Sequence, residues 1–260
     1  MFLKEAKILK SHGTQYIRDL DGVVLHELFR GRPEISADIT EAELARLVSI
    51  CPCEAIDSVD ASIDLGKCVF CKECEFALPG KIRFTNDYRM ASNRRDRLVV
   101  KPGCNSAICV EQQFVRAEIK SFFGRALKLR QVSAAGDNSC EMELNAAGNV
   151  NFDMGRYGIE FLASPRHCDG IVITGPISEN MSKALQICYE ATAHPKVVIL
   201  VGNDAISGGL FASSKALDRD FLTQYGVDLF VPGNPVHPLT FIHGVLDMIK
   251  TNKELKSKKL

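Results

Sequence analysis

Residues 170–202 have the sequence GIVITGPISENMSKALQICYEATAHPKVVILVG, in which two short apolar runs flank a longer amphipathic stretch. The runs GIVITG and KVVILVG are rich in Val and Ile, as strands buried on both faces of a parallel sheet are. The stretch between them predicts a helix that begins after Ser178 and ends before Pro195, because Ser is a favoured N-cap and Pro cannot continue a helix. Strand, helix and strand together predict a βαβ unit.

The same alternation extends along the chain on both sides of this unit. Three more apolar runs, ALKLRQV, IEFLA and VDLFVPG, have the composition of short buried strands. The stretch PLTFIHGVLDMIK predicts another helix, which starts after Pro238. Strands alternating with helices over residues 127–250 predict an α/β fold with an open, doubly wound parallel sheet.

Composition and charge limit the class of protein. The chain has 260 residues, enough for one large domain or two modest ones. Basic and acidic residues number 32 each, so no overall field attracts nucleic acid, and we expect no nucleic-acid partner. Residues 251–260 form a basic tail, for which a solvated terminus is the simpler interpretation and contact with a phosphate-rich membrane surface is the alternative.

The cysteines indicate the compartment. No stretch approaches the roughly 18 apolar residues of a membrane helix, and the first residues, MFLKEAKILK, lack an apolar signal core. We therefore expect a cytoplasmic protein that meets a membrane only through its partners. In that compartment thiols stay reduced, so ten cysteines in one chain indicate metal binding rather than disulfides.

Four segments are predicted along the chain. Residues 1–80 carry many of the cysteines and have short elements, as a small α+β domain does. Residues 81–125 are a connection whose second half has the apolar spacing of a helix. Residues 126–250 form the α/β domain, and the basic tail follows.

A cysteine motif in the first segment predicts an iron–sulfur cluster. Cys68, Cys71 and Cys74 have the spacing C-x2-C-x2-C, which wraps three thiolates around one corner of an iron–sulfur cube. Cys51, followed by Pro52, supplies the remote fourth thiolate of such sites. Zinc is the weaker alternative, because zinc sites usually need two separated C-x2-C pairs. We expect one 4Fe-4S cluster.

The spacing of this motif is similar to that of two-cluster ferredoxins, with one cluster missing. The ligands of that other cluster would fall at Glu41, Leu44, Leu47 and Leu78, none of which is a cysteine. The pattern predicts a ferredoxin-like domain with one cluster, in which leucines fill the vacated space. Cys53 is then expected to be a spare, small buried residue.

The C-terminal half resembles a known family. The segments that carry the resemblance are FFGRALKLRQVSAAGDNSCEMEL, GRYGIEFLASPRHCDGIVITGPISENM, YEATAHPKVVILVG, AISGG and VDLFVPGNP. They resemble the small, electron-transferring subunit of group 4 membrane-bound nickel–iron hydrogenases and, more distantly, the homologous 20 kDa-like subunit of complex I. The resemblance implies a flavodoxin-like domain, docked on a large subunit and on membrane subunits, at the cytoplasmic face of the inner membrane.

The resemblance also implies a site for a second, proximal cluster. The four ligand positions of the family fall at Asp137, Cys140, Asp204 and Asn234, and one of these is a cysteine. Each follows a predicted strand, so the four should meet at the carboxyl edge of the sheet. Iron–sulfur clusters need soft thiolates, so a second cluster is not expected. Whether Cys104, Cys109 or Cys168 rebuilds a metal site stays open.

Three further residues are assigned to this degenerate pocket. Arg166 and His167 are expected to pair with the aspartates, because a lone buried charge is costly, and a hard cation is the alternative. Glu141 matches a family glutamate implicated in passing protons, or is only a helix first-turn residue.

Two functions follow from the sequence. The first is an electron-transfer subunit, itself non-catalytic, of a hydrogenase-like or complex I-like assembly. The second is a non-conducting docking subunit of such an assembly. The retained cluster motif favours the first, and the degenerate pocket favours the second for the C-terminal domain.

Overall fold

The computed structural model describes residues 2–13, 15–124 and 126–249, so the predicted basic tail lies outside it. The first half of the chain consists of short elements joined by long loops. They are α1 (Phe2–His12), β1 (Pro33–Ile35), α2 (Glu41–Ile50), β2 (Ile63–Asp64), α3 (Glu73–Ala77), β3 (Ile82–Phe84), β4 (Val99–Val100) and α4 (Ala117–Phe122). Within the described ranges, no helix is long and apolar enough to cross a membrane.

The second half alternates strands and helices. Its elements are β5 (Leu127–Ser133), α5 (Ser139–Ala146), β6 (Ile159–Phe161), β7 (Gly170–Thr174), α6 (Glu179–Ala191), β8 (Val197–Val201), α7 (Asn203–Ser207), α8 (Asp220–Gln224), β9 (Leu229–Val231) and α9 (Pro238–Ile249). Strands β5–β9 form one parallel sheet in the order β6-β5-β7-β8-β9. Counted within the sheet this is the order 2-1-3-4-5 of flavodoxin-like folds, so the predicted fold class is confirmed.

The central βαβ unit forms as its sequence predicts. Every residue of β7 and β8 is buried, which explains their continuous apolar composition. Helix α6 begins after Ser178 and ends at Ala191, before the cis peptide bond between His194 and Pro195. The predicted C-terminal helix is α9, with Pro238 as its first residue, where a missing N–H costs nothing.

Alternate residues of the central strands face two separate cores. Val172 and Ile199 belong to the core that α4, α5 and α9 cover. Ile173 and Leu200 face the other way, into a core shared with α6, α7 and α8. Residues of the cysteine-bearing half, among them Leu65, join that second core. The N-terminal half therefore covers part of one face of the sheet.

The first half contains two small antiparallel sheets. Strand β1 pairs with β3, and β2 pairs with β4 and, through one bridge, with Ile56. Thr40 and Glu43 form a capping box that starts α2. Leu47 and Leu78 are buried in the shared core and Leu44 packs against it, as expected for residues that fill a space. The ferredoxin-like interpretation and the domain boundaries stay predictions.

The predicted connection 81–125 is integrated into the fold. Ser92 exchanges both backbone hydrogen bonds with Phe230, at 3.0 and 2.8 Å, and so covers the free edge of β9. Arg116 donates to both carboxylate oxygens of Asp228, at 2.8 and 3.0 Å, just before that strand. The connection is therefore held at the edge strand of the sheet by backbone and side-chain hydrogen bonds.

One ion pair holds the turn that leads into the cysteine motif. Asp64 accepts two hydrogen bonds from Arg95, at 2.7 and 2.6 Å, and a third from the backbone N–H of Gly66. The carbonyl of Asp64 accepts from the N–H of Cys68 at 2.9 Å. A Cβ on Gly66 would lie 2.7 Å from Ile206 of α7, so the turn also packs closely on the sheet domain.

We expect Asp64→Ala to lower the free energy of unfolding by about 2 kcal/mol, because it removes charge-assisted hydrogen bonds in a half-buried turn. The matched control is Asp96→Ala, which removes an exposed bidentate pair with Arg94. Exposed pairs contribute little, so the control should leave the free energy of unfolding nearly unchanged. Urea unfolding measures both values, and equal losses in the two variants would contradict the role given to Asp64.

Candidate metal centre

Five cysteines line one cavity in the N-terminal half. They comprise the four predicted ligands and Cys53, and the cavity among them and their neighbours is small, about 20 Å³. The predicted ligands come from the end of α2, from the loop after β2 and from α3: Cys51, Cys68, Cys71 and Cys74. The structure therefore brings all four together.

The sulfurs do not form a site for a single ion. Within the described part of the chain, no group of three or more His, Cys, Asp or Glu side chains is placed to hold one metal ion. Thiolates around a cube lie farther apart than thiolates around one ion, because iron and sulfide lie between them. The four predicted ligands line one cavity, and a cluster would have to lie there, between their thiols.

The backbone around the cavity is shaped for an anionic group. Glu54, Phe70 and Lys72 have positive φ angles of 51°, 52° and 70°, although none is a glycine. Such residues cost about 1–3 kcal/mol each and occur where the surroundings or a site require them. Positive φ angles of this kind are typical of the concave backbone arrangements that bind anions and iron–sulfur clusters.

Two backbone N–H groups beside the cavity point at cysteine sulfurs. Ala55 donates to the Cys51 sulfur and Phe70 donates to the Cys68 sulfur, each at 3.3 Å. Hydrogen bonds of this kind stabilise the negative charge of cluster ligands. The residues present therefore fit a four-thiolate cluster.

The thiols of the cavity need a positive partner to ionise together. Burial, together with the neighbouring Cys71 thiol, raises the pKa of Cys74 to about 12. Burial likewise raises the pKa of Cys68, and the Cys74, Cys51 and Cys71 thiols add to that rise. The exception is Cys51, whose pKa a hydrogen bond with the Cys53 thiol lowers to about 6. Metal ligands must be thiolates, so iron would supply the compensating charge.

A second site lies at the carboxyl edge of the parallel sheet. Asp137 and Cys140 follow β5, and Asp204 follows β8 in the first turn of α7. Burial, followed in smaller measure by the carboxylates of Glu141, Asp137 and Asp204, raises the pKa of Cys140 to about 12. The predicted positions 137, 140 and 204 are thus electrostatic neighbours.

The loop that contains Asn234 reaches this site through the backbone of Val236. The N–H of Val236, two residues on, faces the Cys140 sulfur, and Gly202 lies so close that a Cβ there would be 2.7 Å from it. The Asn234 residue itself is exposed and lines a neighbouring cavity together with Phe70 of the cysteine loop. The degenerate pocket and the cysteine loop therefore border the same cavity.

The expected partners of the aspartates are corrected by the structure. Arg166 and His167 lie in a short 3₁₀ helix just before β7, at the opposite edge of the sheet. Within the described residues, no hydrogen bond joins either side chain to Asp137 or Asp204. Arg219 is the cation beside Asp204, and its guanidinium donates to the Asp204 carbonyl at 3.2 Å.

Asp137 needs no cation because it is exposed. Its carboxylate accepts from the N–H and the hydroxyl of Ser139, at 2.9 and 2.6 Å. The expectation that both aspartates are buried was therefore wrong for Asp137. The spacing of residues in the sequence does not reveal the burial of a side chain. Arg219, in the segment DRD, follows no motif, and the sequence held no signal for its role.

Glu141 is more than a first-turn residue. It is buried, and its Oε1 atom accepts from the hydroxyls of Ser133 and Thr174, at 2.5 and 2.6 Å. These hydroxyls sit at the ends of β5 and β7, the point where the strand order reverses. Glu141 therefore connects the two strands at the switch point.

The other candidate cysteines lie away from Cys140. Cys104 and Cys109 are exposed and line a separate cavity near β4. Cys168 donates to the Ser164 carbonyl at 3.3 Å and has Cys188 as its thiol neighbour. Within the described residues, none of them adds a thiolate to the pocket at Cys140.

Comparison with known proteins identifies the C-terminal half. Residues 138–248 match the family model of the NADH ubiquinone oxidoreductase 20 kDa subunit. A probable membrane-bound hydrogenase subunit, mbhJ, of Pyrococcus furiosus is 33% identical over 130 residues, which cover 50% of this chain and 78% of that protein. The chain belongs to the NADH ubiquinone oxidoreductase 20 kDa subunit family. The resemblance seen in the sequence is thus confirmed.

Further relatives of this 20 kDa subunit family member match slightly less than half of the chain. An NADH-quinone oxidoreductase subunit of Clostridium beijerinckii is 38% identical over 110 residues, which cover 42% of this chain and 65% of that protein. A solved structure of the membrane-bound sulfane sulfur reductase, an archaeal respiratory membrane complex, contains a chain that is 26% identical, with a TM-score of 0.42. That match covers 49% of this chain and 72% of the other. The family model begins after the cysteine motif, which it leaves uncovered.

The two aspartates of the pocket should respond to pH with opposite signs. Burial, with Asp137 and Glu141 beside it, raises the pKa of Asp204, whereas the Ser139 hydroxyl and N–H lower the pKa of Asp137. A raised pKa makes the charged form destabilising, so Asp204 costs stability as pH rises through that pKa. A lowered pKa makes Asp137 stabilising above the ordinary Asp pKa, and this contribution is lost in acid.

We therefore expect Asp204→Asn to raise the urea midpoint at pH 7 and Asp137→Asn to lower it. The Asp204 difference should vanish below the ordinary pKa of aspartate, and the Asp137 difference should shrink as pH falls from that value through the lowered pKa of Asp137, because each carboxyl is then protonated in the folded and unfolded states. Each variant acts as the control for the other. Midpoint shifts of the same sign at pH 7 would contradict the assignment of burial to Asp204 and exposure to Asp137.

Proposed function

We propose that this chain is an electron-transfer subunit of a membrane-associated, hydrogenase-like or complex I-like oxidoreductase. It holds one 4Fe-4S cluster at Cys51, Cys68, Cys71 and Cys74. The observation that carries the proposal is the cavity lined by these thiols, with backbone N–H groups turned toward their sulfurs. Membership of the 20 kDa subunit family supports the assembly, because its named relatives are subunits of a membrane-bound hydrogenase and of NADH-quinone oxidoreductases.

A bound cluster supplies one-electron redox chemistry, and the protein determines its potential and its access. The N–H donors of Ala55 and Phe70 favour the more negative, reduced state. Cys51 and Cys71 are only partly buried, so one side of the site lies near the surface. An electron-transfer partner that docks on this side would come close to the thiolates. The chain itself has no catalytic residue in this proposal.

The partners follow from the family. We infer a large subunit that docks at the carboxyl edge of the sheet and membrane subunits beyond it, on the cytoplasmic face of the inner membrane. Leu210 and Phe211 support the docking surface, since they are 58% and 56% exposed and follow α7 of the degenerate pocket. Large exposed apolar side chains are typical of surfaces that a partner covers.

The second candidate function is a non-conducting docking subunit. It is favoured by the pocket at Cys140, in which Asp137, Asp204 and Asn234 offer hard or neutral oxygens instead of thiolates. An electron that enters at the N-terminal cluster then has no second cluster within the same chain. Reduction of the purified assembly with its substrate, followed by electron spin resonance, separates the two functions: a cluster signal that responds to substrate supports electron transfer.

We expect the anaerobically reconstituted chain to bind about four irons, because one complete set of thiolates is present. Cys71→Ala should abolish the brown colour and the bound iron, because it removes one of the four thiolates that would hold the cluster. Iron and sulfide analysis with visible absorption gives the readout. Cys188→Ala, in α6 and away from the cavity, is the control and should keep the full iron content.

Two results would count against this assignment. A parent chain that binds no iron would remove the proposed cluster. A content of about eight irons would show that a second site binds a cluster after all.

The degenerate pocket can be tested by restoring its thiols. We expect the triple variant Asp137→Cys, Asp204→Cys and Asn234→Cys to gain about four further irons, because the loops still converge around Cys140. The control is the same triple variant combined with Cys140→Ala, which should bind no more iron than the parent chain. No added iron in the triple variant would mean that the loops no longer hold the geometry of the family's cluster.

A further inference from the structure

Cys53 lies beside the predicted ligand Cys51. Their sulfur atoms are 3.8 Å apart, and both line the cavity that the other three thiols share. Both residues are partly buried to a similar extent. The sequence pattern assigns one of them to the cluster and leaves the other as a small core residue, but the geometry makes no such distinction.

The local backbone explains why both sulfurs face the cavity. Cys51 ends α2 in an extended conformation, with φ −76° and ψ 110°. Pro52 and Cys53 are the central residues of the turn that follows, and this turn places the Cys53 sulfur beside the Cys51 sulfur. The positive φ of Glu54 then turns the chain away, and the N–H of Glu54 returns to the Cys51 carbonyl at 3.4 Å.

Each of the two sulfurs has its own backbone donor. The N–H of Ala55 points at the Cys51 sulfur at 3.3 Å. The N–H of Val69 faces the Cys53 sulfur, and Val69 lies inside the C-x2-C loop between Cys68 and Cys71. Cys53 therefore lines the cavity as Cys51 does, although the hydrogen bond between the two thiols lowers the pKa of Cys51 and, together with burial, raises that of Cys53.

We propose that Cys51 and Cys53 share the fourth ligand position of the cluster. Either thiolate completes the set formed by Cys68, Cys71 and Cys74, and the other stays beside it as a reserve ligand. This inference rests on the proposed cluster. In an exchange, one iron–sulfur bond forms as another breaks, and the proton of the incoming thiol passes to the departing thiolate. No electron is gained or lost, so the step needs no oxidant or reductant.

The test compares Cys51→Ala, Cys53→Ala and the double variant after anaerobic reconstitution. Alanine is used because a serine oxygen could itself bind iron. We expect each single variant to keep about four irons, and the double variant to fall to about three or fewer. Electron spin resonance of the reduced proteins should show a shifted signal in at least one single variant, since the fourth ligand differs. Cys71→Ala and Cys188→Ala are the iron-losing and iron-keeping controls.

Three outcomes would overturn the shared position. Loss of iron in Cys51→Ala with full iron in Cys53→Ala would make Cys51 the sole ligand, and the reverse result would make Cys53 the sole ligand. Full iron in the double variant would place the fourth ligand elsewhere. A parent chain without iron has a different meaning, because it would defeat the proposed function before any question of ligand choice.

A measurement on the unaltered chain covers the case in which a variant fails to fold. The loaded protein is treated with iodoacetamide, and labelled peptides are identified after the cluster is removed. Because four of five cavity thiols are bound, we expect the label to be divided between Cys51 and Cys53, with the other three protected. Label on one of the two alone would contradict the shared position.

Discussion

Both faces of the parallel sheet must be covered, and this constraint arranges the rest of the molecule. The central strands β7 and β8 are buried along their whole length, so neither face can be left to water. Helices α4, α5 and α9 cover one face. On the other face, α6, α7 and α8 share their core with side chains of the cysteine-bearing half. The two halves of the chain therefore stabilise each other through this shared core.

This shared core gives the cysteine loops a rigid support. The turn before Cys68 is held by the pair of Asp64 and Arg95 and packs against Ile206 of the sheet domain. A supported loop can keep residues such as Phe70 and Lys72 at positive φ, which a free loop would relax. Of these two residues, Phe70 donates its N–H to the Cys68 sulfur. The proposed cluster site therefore depends on packing that lies outside the cysteine motif.

The carboxyl edge of the sheet has kept its convergence while its chemistry differs from that of a cluster site. Cys140 still lies against Gly202, in the direct neighbourhood of Asp204. Burial holds this thiol in its neutral form, and the nearby carboxylates oppose its ionisation further. Glu141 joins the ends of β5 and β7 through two hydroxyl groups. The pocket therefore contributes one thiol, Cys140, beside carboxylates, which agrees with the proposal of a chain with one cluster.

The sequence alone determined the alternation of strands and helices, the doubly wound α/β fold and the approach of Cys68, Cys71 and Cys74. These follow from periodicity and from spacings of a few residues, which local backbone geometry converts directly into structure. The flavodoxin-like fold was implied by the resemblance to a known family, and Cys51 by the ferredoxin pattern. Only the tertiary structure decided that Cys53 shares the cavity, that Asp137 is exposed and that Arg219 accompanies Asp204. It also moved Arg166 and His167 to the opposite edge of the sheet. Such outcomes depend on how distant segments pack, because burial and pairing are properties of the assembled chain and not of any short stretch of it.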